Sequence, residues 1–273
     1  MFEISVVLPT YNRAKTLGAA IDSVFCQKGE GENFRIRELI VVDDGSTDDT
    51  AEFMESIADD RLRYIQQKEN RGAAHARNTG VEKAQAEWIA FQDSDDLWME
   101  DKLLKQTAYL LVHPDCHMVV HLIRALMKGG QEIINEAGDA EDQFVALAGK
   151  NFVGTPTILI RRQDFLECGG FDEKMHALED WEFGLRYAAN GRIGIVQEAL
   201  LQADMRVEGM SANMYAYYEG RCYMLAKHKE ALMVHGCFEA AMESLFLHAR
   251  EHGVLEQTAK MMELYLTNGE LLK

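Results

Sequence analysis

A short apolar run, Glu87-Trp88-Ile89-Ala90-Phe91, meets three carboxylates, Asp93, Asp95 and Asp96, almost at once. The run suits a buried strand. A strand cannot bury three neighbouring anions, because each would lose its hydration and repel the others. The strand must therefore end here, with the acids projecting from its carboxyl edge, which is where open α/β sheets bind ligands. Asp93 and Asp95, separated by Ser94, can face one side and share a divalent cation that prefers hard oxygen ligands, Mn²⁺ or Mg²⁺. The bland alternative is a solvated acidic turn that caps a helix beginning near Asp101.

The same grammar recurs upstream. Ile4-Ser5-Val6-Val7-Leu8-Pro9 reads as a strand stopped by proline, and Asn12 as the N-cap of a helix with Leu17, Ile21, Val24 and Phe25 on one face. Glu38 to Val42 reads as a central parallel strand that runs directly into Asp43-Asp44-Gly45-Ser46. Ser46 or Thr47 is expected to cap the next helix. A weaker strand over 63–65 and a helix over about 73–84 follow. Strand and helix alternate to residue 112, which indicates a doubly wound parallel sheet.

Beyond His113-Pro114 the pattern changes. Met118 to Met127 is strand-like and ends at a Gly129-Gly130 hairpin signal. Residues 135–150 carry no clear pattern. Strands are expected at Thr157 to Ile160 and Ile193 to Val196, with a helix from Glu179 to Asn190 between them. His117 and His121 lie four apart, but in strand surroundings, where they are read as packing residues. From about Ala212 the chain reads as two or three Met- and Leu-rich helices.

The net charge is −17, from 28 basic and 45 acidic side chains. That argues against nucleic acid as a partner and against docking on anionic lipid through a basic surface. No apolar run approaches the roughly 18 residues of a membrane span, so no transmembrane segment is expected. Five scattered cysteines in no CxxC pair read as reduced packing residues of a cytoplasmic protein.

Two strand ends thus carry acid pairs, Asp43-Asp44 and Asp93-Ser94-Asp95, and parallel strands would bring both to one sheet edge. One pair could accept hydrogen bonds from a nucleobase or ribose while the other holds a metal. Pro9-Thr10-Tyr11, after the first strand, reaches the same edge and offers an aromatic face. No G-x-G-x-x-G follows the first strand and no G-x-x-x-x-G-K-[ST] occurs, so dinucleotide oxidoreductase and P-loop readings start weak.

Five ordered motifs then carry a resemblance. Val6 to Asn12, Ile40 to Asp48, Arg71-Gly72 with Ala76 to Gly80, Asp93 to Asp96, and Gly169 to Asp172 with Glu179-Asp180-Trp181 are similar to those of the family 2 glycosyltransferases. These are inverting, nucleotide-sugar-dependent enzymes of the GT-A fold. The resemblance implies a Rossmann-like, mostly parallel α/β sheet flanked by helices. It implies a nucleotide-sugar-binding half over 1–112 and an acceptor-binding half over 113–210, with residues 211–273 left as a C-terminal helical extension outside it.

Residue by residue, the resemblance implies that Pro9, Thr10, Tyr11, Asp43 and Asp44 surround the nucleoside and that Arg77 lies near donor phosphate. Asp93, Ser94 and Asp95 form the DxD motif on ribose and metal. Asp180 matches the catalytic base. Glu208 stands where many relatives have a histidine. The implied reaction moves a sugar from a UDP-sugar, with Mn²⁺ or Mg²⁺, to a hydroxyl of a glycan or lipid-linked acceptor. The implied setting is cytoplasmic, at the inner face of the membrane, with homo-oligomerisation through the C-terminal helices as a further expectation. Two other readings stay open: a sugar nucleotidyltransferase, and an inactive nucleotide-sugar-binding module.

Overall fold

The apolar runs that open the chain pair side by side and in parallel. In the computed structural model, which describes residues 1–127, 129–135, 137, 140–204 and 213–269, β1 (Phe2–Thr10) lies between β2 (Phe34–Asp43) and β4 (Trp88–Phe91), and β3 (Leu62–Gln66) flanks β2. All three pairings are parallel. Helices α1 (Ala14–Phe25), α2 (Thr50–Glu55) and α3 (Ala73–Lys83) make the crossovers, as parallel neighbours require. Register places Asp43 level with Thr10, and Phe91 level with Val7. The ends of β1, β2 and β4 therefore meet at one edge. Helix α3 packs tightly on β1 because Gly80 has no side chain: a β-carbon there would fall 2.4 Å from Val7 Cγ1.

The alternation stops after the short β5 (Leu97–Trp98) and α4 (Lys102–Val112). Next to β4 runs β8 (Leu159–Arg161), antiparallel to it and to β6 (Met118–Leu126). The parallel arrangement expected through residue 112 is thus continued by a mixed half. There β9 (Ile193–Asp204) pairs parallel with β6 and antiparallel with β5, and β7 (Glu132–Ile134) forms a hairpin with β6. Helices α5 (Gln143–Gly149), α6 (Arg162–Glu167) and α7 (Glu179–Ala188) complete this half.

Several local expectations are corrected. Asn12 is not an N-cap: it has φ +53°, and its side chain accepts from the amides of Thr47 (2.8 Å) and Asp48 (3.3 Å). The Ser46 hydroxyl in turn accepts from the Asn12 amide, so neither Ser46 nor Thr47 caps α2, whose N-cap position is Asp49. These side chains bridge two loops instead of capping helices. Thr155–Thr157 is a 3₁₀ turn, and the strand begins only at Leu159. The strand expected over 193–196 continues to Asp204. After residue 212 there are four helices among the described residues, not two or three: α8 (Met214–Lys227), α9 (Lys229–Val234), α10 (Phe238–Glu251) and α11 (Leu255–Thr267).

The helical extension packs on the sheet domain. Lys227 and Tyr223 of α8 bond Asp172 at 2.6 and 2.8 Å. His228 and Lys227 reach the fully buried Glu182 of α7 at 2.7 and 2.9 Å. Burial opposes ionisation of Glu182, but its bonds to His228 and Arg186 outweigh that and hold its acidity well above the usual. A buried carboxylate needs such compensation.

Candidate active site

An aromatic cluster brings the second half onto the first. Phe91 at the end of β4 meets Phe165 and Phe171 at 5.5 and 5.3 Å between ring centroids, and both meet Phe183 of α7. Edge-on and tilted contacts of this kind add to the burial of large apolar rings. Asp93 lies two residues beyond Phe91, and the Glu179-Asp180 pair opens the helix that carries Phe183. The apolar cluster thereby sets the two acidic motifs side by side.

Arg77 joins them. Its guanidinium is buried and donates to Asp93 Oδ1 at 2.7 Å and to Glu179 Oε1 at 2.5 Å. Its Nε is buried without a partner among the described residues. Burial disfavours the charge, but Asp93 and Glu179 outweigh it and raise the pKa. We expect Arg77→Met to leave both carboxylates uncompensated and to cost about 3 kcal/mol. That is the lower end for a broken buried pair, because Asp93 remains a quarter exposed. Urea unfolding checks this, and an unchanged midpoint rules it out.

Asp95 keeps 44% of its side chain exposed and pairs with Arg13 at 3.2 Å. Its pKa is raised, first because the surrounding protein displaces part of the carboxylate's hydration and then by Asp93, with Arg13 opposing. Asp96 is pushed up to about 8 by burial and by Asp93 and Asp95. The carboxylates therefore crowd one another more than Arg13 and Arg77 relieve, and Asp96 keeps its proton at neutral pH. Among the described residues no three acidic, histidine or cysteine side chains converge into a self-sufficient metal cage. A hard cation held by one or two carboxylates, its remaining ligands being phosphate oxygens and water, suits Mg²⁺-type coordination. The donor set thus fits a divalent metal that arrives with a diphosphate.

The remaining expected residues lie along the same edge. Thr10 is buried, with no partner for its hydroxyl among the described residues, and Tyr11 is exposed. Asp43 is fully buried; it accepts from the Ser46 amide at 2.8 Å and from the Tyr64 hydroxyl. Asp44 accepts from the amides of Arg71 (2.9 Å) and Gly72 (2.7 Å), and burial raises its pKa despite those bonds. Ser94 is buried within the DxD turn. Glu208 lies outside the described residues.

Asp180 sits at the start of α7. Its Oδ2 accepts from the Thr155 amide at 3.0 Å, and its Oδ1 from the Trp181 amide at 2.6 Å. Its pKa is pushed up to about 7, first by burial and then by the Glu179 charge, with the Thr155 amide pulling the other way. Just before the acid pair, Leu178 stands in the left-handed region at φ +65°, a conformation that costs roughly 1–2 kcal/mol for a residue with a β-carbon.

Sequence reasoning named Glu179 beside Asp180 but not its pairing with Arg77, and gave no role to Arg13, which pairs with Asp95. Glu173 and Thr155 went unnamed. Glu173 clasps His75 at 2.9 Å and Asn78 at 3.1 Å. The nearness of Glu173 to the Gly169-Gly170-Phe171-Asp172 motif was the one available signal. Thr155 carried none.

The family model described as Glycosyl transferase family 2 matches residues 5–170. An uncharacterized glycosyltransferase of Haemophilus influenzae is 28% identical over 187 residues, covering 67% of this chain and 61% of that protein. The Escherichia coli UDP-Glc:alpha-D-GlcNAc-diphosphoundecaprenol beta-1,3-glucosyltransferase WfgD is 35% identical over 132 residues, 48% of this chain and 47% of that one. The chain thus spans less than two thirds of the length of either relative. Among solved structures, S. aureus TarS 1-349 in complex with UDP-GlcNAc superposes with a TM-score of 0.65 at 18% identity, covering 96% of this chain and 91% of that one. The mannosyltransferase PcManGT from Pyrobaculum calidifontis, in complex with GDP-Man and Mn²⁺, gives 0.61 at 22% identity, covering 94% and 73%. At these identities the likeness is one of fold, and it is that of the GT-A glycosyltransferases.

Proposed function

The chain belongs to glycosyl transferase family 2, and from that premise we propose that it transfers a sugar from a UDP-sugar to a hydroxyl of a glycan or lipid-linked acceptor, with inversion. The observation that carries the reading is the Arg77 bridge between Asp93 and Glu179. It couples the acid motif suited to a metal diphosphate with the acid pair suited to an acceptor. Among the described residues no helix is long and apolar enough to cross a membrane. An acceptor anchored in lipid is proposed to be met at the cytoplasmic face of the membrane.

Asp93 and Asp95 would hold Mn²⁺ or Mg²⁺, which when bound supplies charge neutralisation for the departing diphosphate. Tyr11 offers its exposed ring to the uracil, and Asp43 and Asp44 retain free lone pairs on their oxygens for nucleoside donors. Asp180 takes the acceptor proton as the hydroxyl oxygen bonds the anomeric carbon and the bond to the diphosphate breaks. A carboxylate with a raised pKa is a stronger base than an ordinary one. The Thr155 and Trp181 amides fix its orientation. Glu179, neutralised by Arg77, orients the turn.

Thermal stabilisation by nucleotide sugars with and without Mn²⁺ tests the donor. A donor at 100 times its dissociation constant adds roughly 2.7 kcal/mol, and the shift is expected for a UDP-sugar only with metal. Turnover is expected to release UDP. Pyrophosphate as product would instead establish nucleotidyl transfer, and stabilisation without any product an inactive module.

A further inference from the structure

On the reading of Asp180 as the base, we propose that α8 of the helical extension positions it, with Arg221 as the principal positioning residue. Arg221 is 2% exposed, among the largest fully buried side chains. Among the described residues no carboxylate pairs with it. Its guanidinium carbon instead lies 4.1 Å from the centroid of the Trp181 ring, and its Nη1 donates to the Ala148 carbonyl at 3.4 Å. The Trp181 indole donates to the neighbouring Leu147 carbonyl at 2.6 Å. Both donors thus meet the C-terminal carbonyls of α5, where a cation is favoured, and the cation covers the indole face. Trp181 follows Asp180 directly, and its amide holds Asp180 Oδ1.

The residue before Arg221 works on the other side of the turn. Gly220 lets α8 approach so closely that a β-carbon there would fall 2.8 Å from the Ala177 carbonyl oxygen and 3.5 Å from Leu178. Leu178 is the residue held at positive φ, and such strain persists only where the surroundings over-determine it. Gly220 and Arg221 therefore grip the acid pair from both sides, at Ala177-Leu178 and at Trp181. A buried cation without an acid partner is costly if its only role is to fill space; methionine would fill it with less penalty.

The test compares Arg221→Met, Arg221→Lys and Gly220→Ala in the full chain. The readouts are UDP release from UDP-glucose or UDP-GlcNAc, with and without a saccharide acceptor, and Mn²⁺-dependent UDP affinity by calorimetry. Displacing a reacting group by about 1 Å can cost roughly 10²-fold. Arg221→Met and Gly220→Ala are expected to lower acceptor-dependent turnover by roughly 10- to 100-fold with UDP affinity and donor KM unchanged. Arg221→Lys keeps a cation over Trp181 and is expected to recover most of the rate. Wild-type turnover in Arg221→Met and Gly220→Ala overturns the proposal, as does UDP affinity falling in step with turnover. Should Arg221→Met melt below the assay temperature, Gly220→Ala decides alone. Asp180→Asn run alongside separates the two claims: if it is inactive while the α8 variants are normal, the base stands and only the positioning role falls. If Asp180→Asn turns over normally, the base assignment itself fails and takes the positioning role with it.

Discussion

Asp180→Asn is expected to lower sugar-transfer turnover by roughly 10²- to 10⁴-fold, the usual worth of a general base, with nucleotide affinity unchanged. The substitution keeps the size of the side chain, and its single carbonyl oxygen still accepts from one of the two amides that hold Asp180, but it cannot take a proton. Nucleotide contacts are proposed at Asp44 and Asp95, away from Asp180, so the loss belongs in turnover and not in donor binding. The pH profile supplies a second readout. With its pKa pushed up to about 7, Asp180 is protonated and inactive as a base below that value and ionised above it. The wild-type rate should therefore rise with pH through about 7, and Asp180→Asn should lack that limb. Glu179→Gln is the control, expected to be milder because Glu179 pairs with Arg77 rather than facing an acceptor. Were Glu179→Gln inactive and Asp180→Asn normal, the two roles would be reversed.

Asp95→Ala is expected to abolish Mn²⁺-dependent UDP binding while the fold survives. Asp95 is exposed, and its ion pair with Arg13 is a surface pair worth about 0–1 kcal/mol. Removing it opens no cavity and relieves repulsion with Asp93. Metal affinity, in contrast, rests on one or two carboxylates and the nucleotide's own oxygens, so losing one of them leaves little to hold the ion. Calorimetry of UDP with Mn²⁺ and a thermal melt together decide the matter. An unchanged affinity would remove Asp95 from the metal site, and a collapsed melt would show that it holds the fold.

The sequence was most legible where one local cost dominated. Three carboxylates within four residues after Phe91 had to end a strand, because burying them is prohibitive, and β4 does end at Phe91. The same reasoning placed Asp43-Asp44 at the end of β2. Local reasoning failed where a side chain had two competing uses. Asn12 has the chemistry of an N-cap, but its oxygen serves amides 35 and 36 residues away. Thr157 has the β-branched character of a strand residue, yet its hydroxyl bonds the Gly154 carbonyl inside a 3₁₀ turn.

By itself the sequence determined the parallel half of the sheet, the edge at which its acids emerge, and the family to which the chain belongs. These follow from burial, from strand–helix alternation and from ordered motifs, all of which are written locally along the chain. Which acid meets which cation was decided only by the tertiary structure. Arg77 and Glu179 are 102 residues apart and Arg77 and Asp93 are 16 apart, and neither pairing has a periodicity to betray it. They form because Phe91, Phe165, Phe171 and Phe183 pack together, and packing of apolar side chains is non-directional. Only the shape of the assembled core chooses where the charged neighbours of those rings come to rest.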